Sequence, residues 1–142
     1  LGLCESLYSA GNATVPYYAY NHDQKVVAGE TCATGTSSTS GVAFHPASGG
    51  SYPAAYAGAL FFADYARSCI WAMLPATPGG LPAPNNRVTF VAGAAAPVDL
   101  AAGPGGELYY ASITGSIRSC SLSAASSLPW RASLKISIQI FG

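Results

Sequence analysis

Charge is what this sequence has least of. Charged residues make up 8 % of the chain, against roughly 25 % in an average soluble protein. Six Lys and Arg balance six Asp and Glu, which leaves no basic face for a nucleic acid. Long apolar runs are missing as well. The longest stretch without charge or strong polarity, Tyr52 to Ala63, stops at Asp64, and a membrane-crossing helix needs about 20 residues. No 3.6-residue periodicity is visible, which excludes a helical solenoid. No CxxC or Cys/His box occurs, and His22 and His45 lie far from the cysteines in sequence, so no zinc-type metal site is expected. What is present is half apolar and 11 % aromatic, with 16 Gly and 10 Pro. That is too apolar for a disordered chain and reads as β-rich.

The chain opens at Leu1 with no initiator Met and no signal peptide, so it reads as a mature form or an excerpt. Its 142 residues make one ordinary domain or a piece of a larger one. Cys4, Cys32, Cys69 and Cys120 are even in number and widely spaced. With so few charges, they suit an oxidising compartment, and an extracellular, secreted protein is expected. Chain locality favours pairing Cys4 with Cys32 and Cys69 with Cys120; free, buried thiols are the alternative.

Three regions follow from composition. Residues 1–40 read as an irregular N-terminal segment, with a short strand at Pro16–Tyr20, a second apolar stretch at Lys25–Val27 and a surface loop over Thr31–Gly41. Residues 41–120 hold strands at Val42–Phe44, Ala59–Ala63, Ser68–Met73 and Arg87–Ala92. The four prolines and two glycines of Pro75–Asn86 predict a loop between the last two. Residues 121–142 form a divergent tail, whose alternation from Leu134 to Ile140 predicts a one-sided strand.

The sharpest signal is an internal repeat. Gly58–Trp71, GALFFADYARSCIW, matches Gly106–Ser119, GELYYASITGSIRS, and GVAFHP from Gly41 aligns with PVDLAAGP from Pro97. The offset is about 48 residues, the length of one four-stranded β-propeller blade. The expected fold is therefore all-β, with about two to three antiparallel propeller blades. Propellers close with roughly four to eight blades, so the missing ones come from a longer chain or from self-association.

GVAFHP, YPAAYAGALFFADYARSCIWAM, FVAGAAAPVDLAAGPGGELYYAS and TGSIRS together resemble the C-terminal blades of the glucose/sorbosone dehydrogenase family, the six-bladed, soluble-quinoprotein type of propeller. The resemblance runs from about residue 15 to about residue 119 and lapses after Cys120. It implies a parent that is a secreted sugar (aldose) oxidoreductase. There, pyrroloquinoline quinone assisted by calcium accepts hydride while a histidine takes the sugar hydroxyl proton. That histidine belongs to an earlier blade, so the resemblance carries it onto neither His22 nor His45. Where the family places a lysine after the FFADY-like strand, this chain has Ala66-Arg67; where it places arginines before the PVDL-like aspartate, it has Ala96-Pro97-Val98. Arg67 is the one cation left for an anionic cofactor, and no cofactor is expected for this chain alone. The alternative is a non-catalytic extracellular module that binds carbohydrate or serves as a self-assembling structural propeller.

Four residues remain as ligand-binding candidates, and the catalytic residue is unknown. Asp64 closes an apolar strand where propeller loops gather, and Asp99 holds the matching approach strand of the second copy. Either carboxylate contacts a sugar or instead fixes its own turn by accepting backbone N–H groups. No second carboxylate lies near either one in sequence, so a glycosidase-like acid/base pair is unsupported. Tyr65 and Arg67 line a sugar pocket or, alternatively, pack between blades and face solvent respectively. His45, at a strand end before Pro46, is a candidate base without a partner placed by any motif. Trp71 reads as core. Asn12-Ala13-Thr14 matches the glycosylation acceptor pattern.

Overall fold

A computed structural model describes residues 2–123 and 135–141. A helix, α1 (Gly2–Ser9), is followed by β1 (Thr39–Phe44), β2 (Leu60–Asp64), β3 (Cys69–Pro75), β4 (Pro82–Ala92), β5 (Pro97–Ala102), β6 (Leu108–Ser112), β7 (Ile117–Ser123) and β8 (Lys135–Phe141). The protein is mostly β. Its strands form two four-stranded antiparallel sheets, β1-β2-β3-β4 and β5-β6-β7-β8, each in chain order. Such meanders need only local connections between neighbours.

Burial along the strands follows the sheets' surroundings. In β2 four of five residues are buried, because the first sheet is covered on both faces. In β6, LYYAS, burial alternates strictly with partial exposure, because among the described residues the second sheet is covered on one face. Ala43, Phe61, Ala63, Ile70 and Ala72 pack with Leu100, Leu108, Tyr110 and Cys120 of the second sheet. On the opposite face, Phe62, Trp71 and Met73 pack beneath Val26 and Cys32 of the N-terminal segment.

The two sheets stack head to tail. The repeat aligns Phe61 with Tyr109 and Phe62 with Tyr110. In the first sheet Phe61 turns toward the second, whereas in the second it is Tyr110, not Tyr109, that turns toward the first. The face that the first sheet buries against its neighbour therefore has its counterpart on the outer face of the second sheet. There Ala101 pairs with Tyr109 and Ala111 with Ile117, and Ile117 is 55 % exposed.

The leading strands β1 and β5 meet most closely. Ser40 Oγ donates to Pro97 O at 2.7 Å, and a Cβ placed on Gly41 would lie 2.8 Å from Leu100 N and 2.9 Å from Asp99 Cα. Neither neighbour is a movable side chain, so Gly41 has to be glycine. Gly41→Val is expected to force the sheets apart at a cost of about 1–3 kcal/mol or more, read as a lowered midpoint in urea with unchanged far-UV circular dichroism.

Several sequence expectations need correction. The N-terminal segment is not wholly irregular, because it begins with α1. Pro16–Tyr20 and Lys25–Val27 form no strand; they lie across the first sheet rather than beside it. Pro75–Asn86 is not all loop, since β4 starts at Pro82. The described residues form two sheets, within the expected two to three, but β1 and β7 cross the expected region boundaries at residues 40 and 120. The strand expected in the tail is β8, which completes the second sheet. Leu134 and the rest of 124–134 lie outside the described residues.

The disulfide joins Cys32 to Cys69, not Cys4 to Cys32 or Cys69 to Cys120. The pairing follows tertiary packing: Cys32 lies in the segment laid over the first sheet and Cys69 opens β3 beneath it. Cys4 is free and exposed, and Cys120 is free and buried.

Candidate functional site

Asp64 is the last residue of β2 and is fully buried. Its Oδ1 accepts the Arg67 N–H at 3.0 Å, closing the β2–β3 turn, and the Ser38 N–H at 2.9 Å. Its Oδ2 accepts the Tyr20 hydroxyl at 2.8 Å. The carboxylate thus fixes its turn and also ties the N-terminal segment to it.

Arg67 is buried, not solvated. Nε donates to Ser37 Oγ at 2.7 Å and Thr36 O at 3.2 Å; Nη1 donates to Gln24 O at 2.7 Å; Nη2 donates to Asn21 O and His22 O, both at 2.8 Å. Asp64 Oδ2 lies 3.7 Å from Nε, and the guanidinium sits 4.8 Å from the centre of the Tyr20 ring. One side chain therefore gathers backbone carbonyls from a chain segment with no regular structure, and a planar fork of donors suits that task. Glu30 repeats the pattern nearby, accepting from Val26 N and Thr89 Oγ1 at 2.9 Å each and from Trp71 Nε1.

The other predicted site residues do not converge on this pair. Tyr65, 39 % exposed, projects beside it. Asp99 is exposed on β5, and its Oδ1 accepts the N–H of Leu100 at 2.9 Å. His45 lies at the far end of the first sheet, since Phe44 pairs with Leu60 whereas Asp64 pairs with Thr39. Its ring is buried, stacked 5.1 Å from Tyr52, with Nδ1 on Pro46 O at 2.9 Å and Nε2 buried without a partner among the described residues. Gly50 leaves room for that ring, because a Cβ there would come within 2.1 Å of Cε1. Tyr52 bridges the sheets: its oxygen accepts the Leu108 N–H at 2.8 Å and its hydroxyl donates to Cys120 O. Burial raises the Tyr52 phenol above its ordinary range, although the Leu108 N–H pulls the other way.

Sequence reasoning missed an aromatic groove between the N-terminal segment and the first sheet. Tyr17, Tyr18, Tyr20, Thr39, Val42, Leu60, Phe62 and Met73 enclose about 200 Å³. Tyr18 and Tyr20 stack at 5.8 Å, and Arg87 lies 4.5 Å above the Tyr18 ring. The Tyr18 hydroxyl oxygen is buried without a partner among the described residues. Burial, opposed by the Thr39 hydroxyl and reinforced by the Asp64 carboxylate, pushes the Tyr20 phenol up to about 12. The signal was the run Tyr17-Tyr18-Ala19-Tyr20, which carries too many aromatics for a short exposed strand.

The fit to the quinone cofactor fails at Arg67. A tricarboxylate needs cations with free N–H groups, and all three guanidinium nitrogens of this buried side chain already donate to protein oxygens. Among the described residues, no three His, Cys, Asp or Glu side chains gather as a metal site.

Thiol chemistry checks the cysteine arrangement directly. Burial pushes the Cys120 thiol up to about 12, so it holds almost no thiolate at neutral pH. A thiol reagent is expected to titrate Cys4 alone in the native protein and Cys120 as well after denaturation. No native reaction would contradict the arrangement.

Fold and site together define an antiparallel two-sheet β protein whose buried charged residues are spent on holding an irregular segment to a sheet. Comparison with protein-family models, with curated proteins and with solved structures gives no match. No helix among the described residues is long and apolar enough to cross a membrane, and the Cys32–Cys69 disulfide is compatible with an extracellular protein.

Proposed function

We propose that the chain supplies two adjacent blades of a β-propeller of the glucose/sorbosone dehydrogenase type, whose parent is a secreted, quinone-dependent sugar oxidoreductase. The head-to-tail stacking carries this reading. In a ring of blades every sheet shows one face forward and its other face backward, as Phe61 and Tyr110 do here. Such an interface is heterologous and continues until a ring closes. The outer face of the second sheet at Ile117, 55 % exposed, is where the next blade belongs. The motifs shared with the family supply the sugar-oxidising part of the reading.

Within that parent these blades act as scaffold, since Asp64 and Arg67 are committed to the fold. The chain alone, given pyrroloquinoline quinone and calcium, is expected to show no dye-linked glucose oxidation. A parent containing the earlier histidine-bearing blade is expected to show it. Turnover by this chain alone overturns the assignment, and so does a histidine-bearing parent that oxidises no sugar.

The tyrosine groove favours a second reading, non-catalytic carbohydrate binding. Sugar rings stack on aromatic faces, and the buried Tyr18 hydroxyl offers a hydrogen bond that none of the described residues uses. Glycan-array binding lost in Tyr18→Phe without loss of stability supports this reading; an array with no signal removes it.

A further inference from the structure

The turn after α1 carries chemistry that neither sheet uses. Asn12-Ala13-Thr14 matches the pattern Asn-x-Ser/Thr with a residue other than proline between, and no second match occurs in the chain. The pattern is short enough to arise by chance, so its surroundings decide its meaning.

Three observations bear on it. The helix closes just before it, with Ala10 N–H donating to Ser6 O at 2.9 Å and Gly11 N–H to Tyr8 O at 3.1 Å. From Asn12 to Pro16 the chain belongs to no helix or strand, and Asn12 and Thr14 are both exposed. A transferase has to draw the acceptor segment into its own site, and a segment free of sheet pairing can follow. Second, the flanking surface is unusually apolar: Val15 is 81 % exposed and Tyr8 77 %. An attached oligosaccharide would shield side chains that otherwise meet water. Third, Cys32 and Cys69 are buried at 3 % and 0 % exposure, so their bond forms as the chain folds, in an oxidising compartment. In secretory cells that compartment is also where asparagine acquires sugar.

We propose that Asn12 is the acceptor of an N-linked oligosaccharide. The bond formed joins Asn12 Nδ2 to the anomeric carbon of a lipid-pyrophosphate-linked oligosaccharide. The bond from that carbon to the pyrophosphate oxygen breaks, the lipid pyrophosphate leaves with the electron pair, and the amide nitrogen gives up one proton. The Thr14 hydroxyl positions the asparagine amide through the turn that the pattern permits. The assignment rests on the secretory part of the proposed function and on nothing about sugar oxidation.

The test is expression through the secretory pathway of a eukaryotic cell, with mass measured before and after an N-glycan-releasing amidase. The wild-type chain and Thr14→Ser are expected to lose the mass of one glycan. Asn12→Gln and Thr14→Ala are expected to lose none, while keeping the Cys32–Cys69 disulfide as evidence of folding. A disulfide-bonded wild-type chain with identical mass before and after treatment overturns the assignment. Chain retained inside the cell is assayed in the same way from the membrane fraction. A glycan found on chain that lacks the disulfide would count against the compartment argument and leave Asn12 as the acceptor.

Discussion

Arg67→Ala is expected to lower the stability of this protein by about 3–5 kcal/mol, the cost of removing one member of a buried ion pair. Asp64 then stands fully buried without its cation, although it still accepts from Tyr20, Ser38 and the residue-67 N–H. On the other side, the carbonyls of Asn21, His22, Gln24 and Thr36 lose the guanidinium as a donor. Asn21 O and His22 O keep the N–H groups of Gln24 at 3.0 Å and of Gly35 at 2.8 Å, so the loss falls hardest on Gln24 O and Thr36 O, which have no such second backbone donor among the described residues. Arg67→Lys is expected to recover little, because one compact ammonium cannot reach carbonyls that a planar fork reaches in several directions. Asp64→Asn should cost less than Arg67→Ala, since an amide oxygen still accepts from the turn. Urea titration with a constant m-value measures all three. A loss below about 1 kcal/mol for Arg67→Ala, the size expected of an exposed pair, would refute the buried-clamp description.

The repeat was legible in the sequence because matching strands take matching places in the two sheets. Leu60 and Leu108 open equivalent strands, and the small Ala63 and Ala111 each pair with an isoleucine of the next strand, Ile70 and Ile117, although their surroundings differ: Ala63 is fully buried and Ala111 is not. The turn-fixing role of Asp64 was legible for a similar reason: a carboxylate at the end of an apolar strand has to find N–H partners. Other features depend on contacts distant in sequence. Pro82 and Pro84 suggested a loop, yet β4 is an edge strand of its sheet, where a residue lacking an N–H sacrifices no ladder bond on its open side. The tyrosines at 17, 18 and 20 have strand-like composition, but Tyr18 and Tyr20 cover the first sheet's face with their rings instead of extending its edge. Arg67 could not be recognised as buried, because its oxygen partners come from residues 21 to 37, whose path over the sheet leaves no local pattern.

The same path accounts for the second large effect. Replacing Cys32 and Cys69 with alanine is expected to cost about 4 kcal/mol by loop-closure entropy alone, for cysteines 37 residues apart. The melting temperature should fall by roughly 10 °C on the scaling for a domain of this size. Because both sulfur atoms are buried, mild reductant should leave the native disulfide intact and cleave it only after denaturation. The two predictions are also linked. Cys69 pairs directly with Asp64 across β2 and β3, and the disulfide and the Arg67 clamp hold the same segment. Once one is gone the segment is partly released, and losing the other has less left to undo. The combined variant should therefore lose at least about 1 kcal/mol less than the sum of the separate losses, as expected for side chains sharing one network. If the combined variant is too weakly folded for titration, protease cleavage between Asn21 and Thr36 in the two separate variants reads the same release. Losses that add within about 0.5 kcal/mol, or a segment equally protected in both variants, would show that clamp and disulfide act on separate parts of the fold.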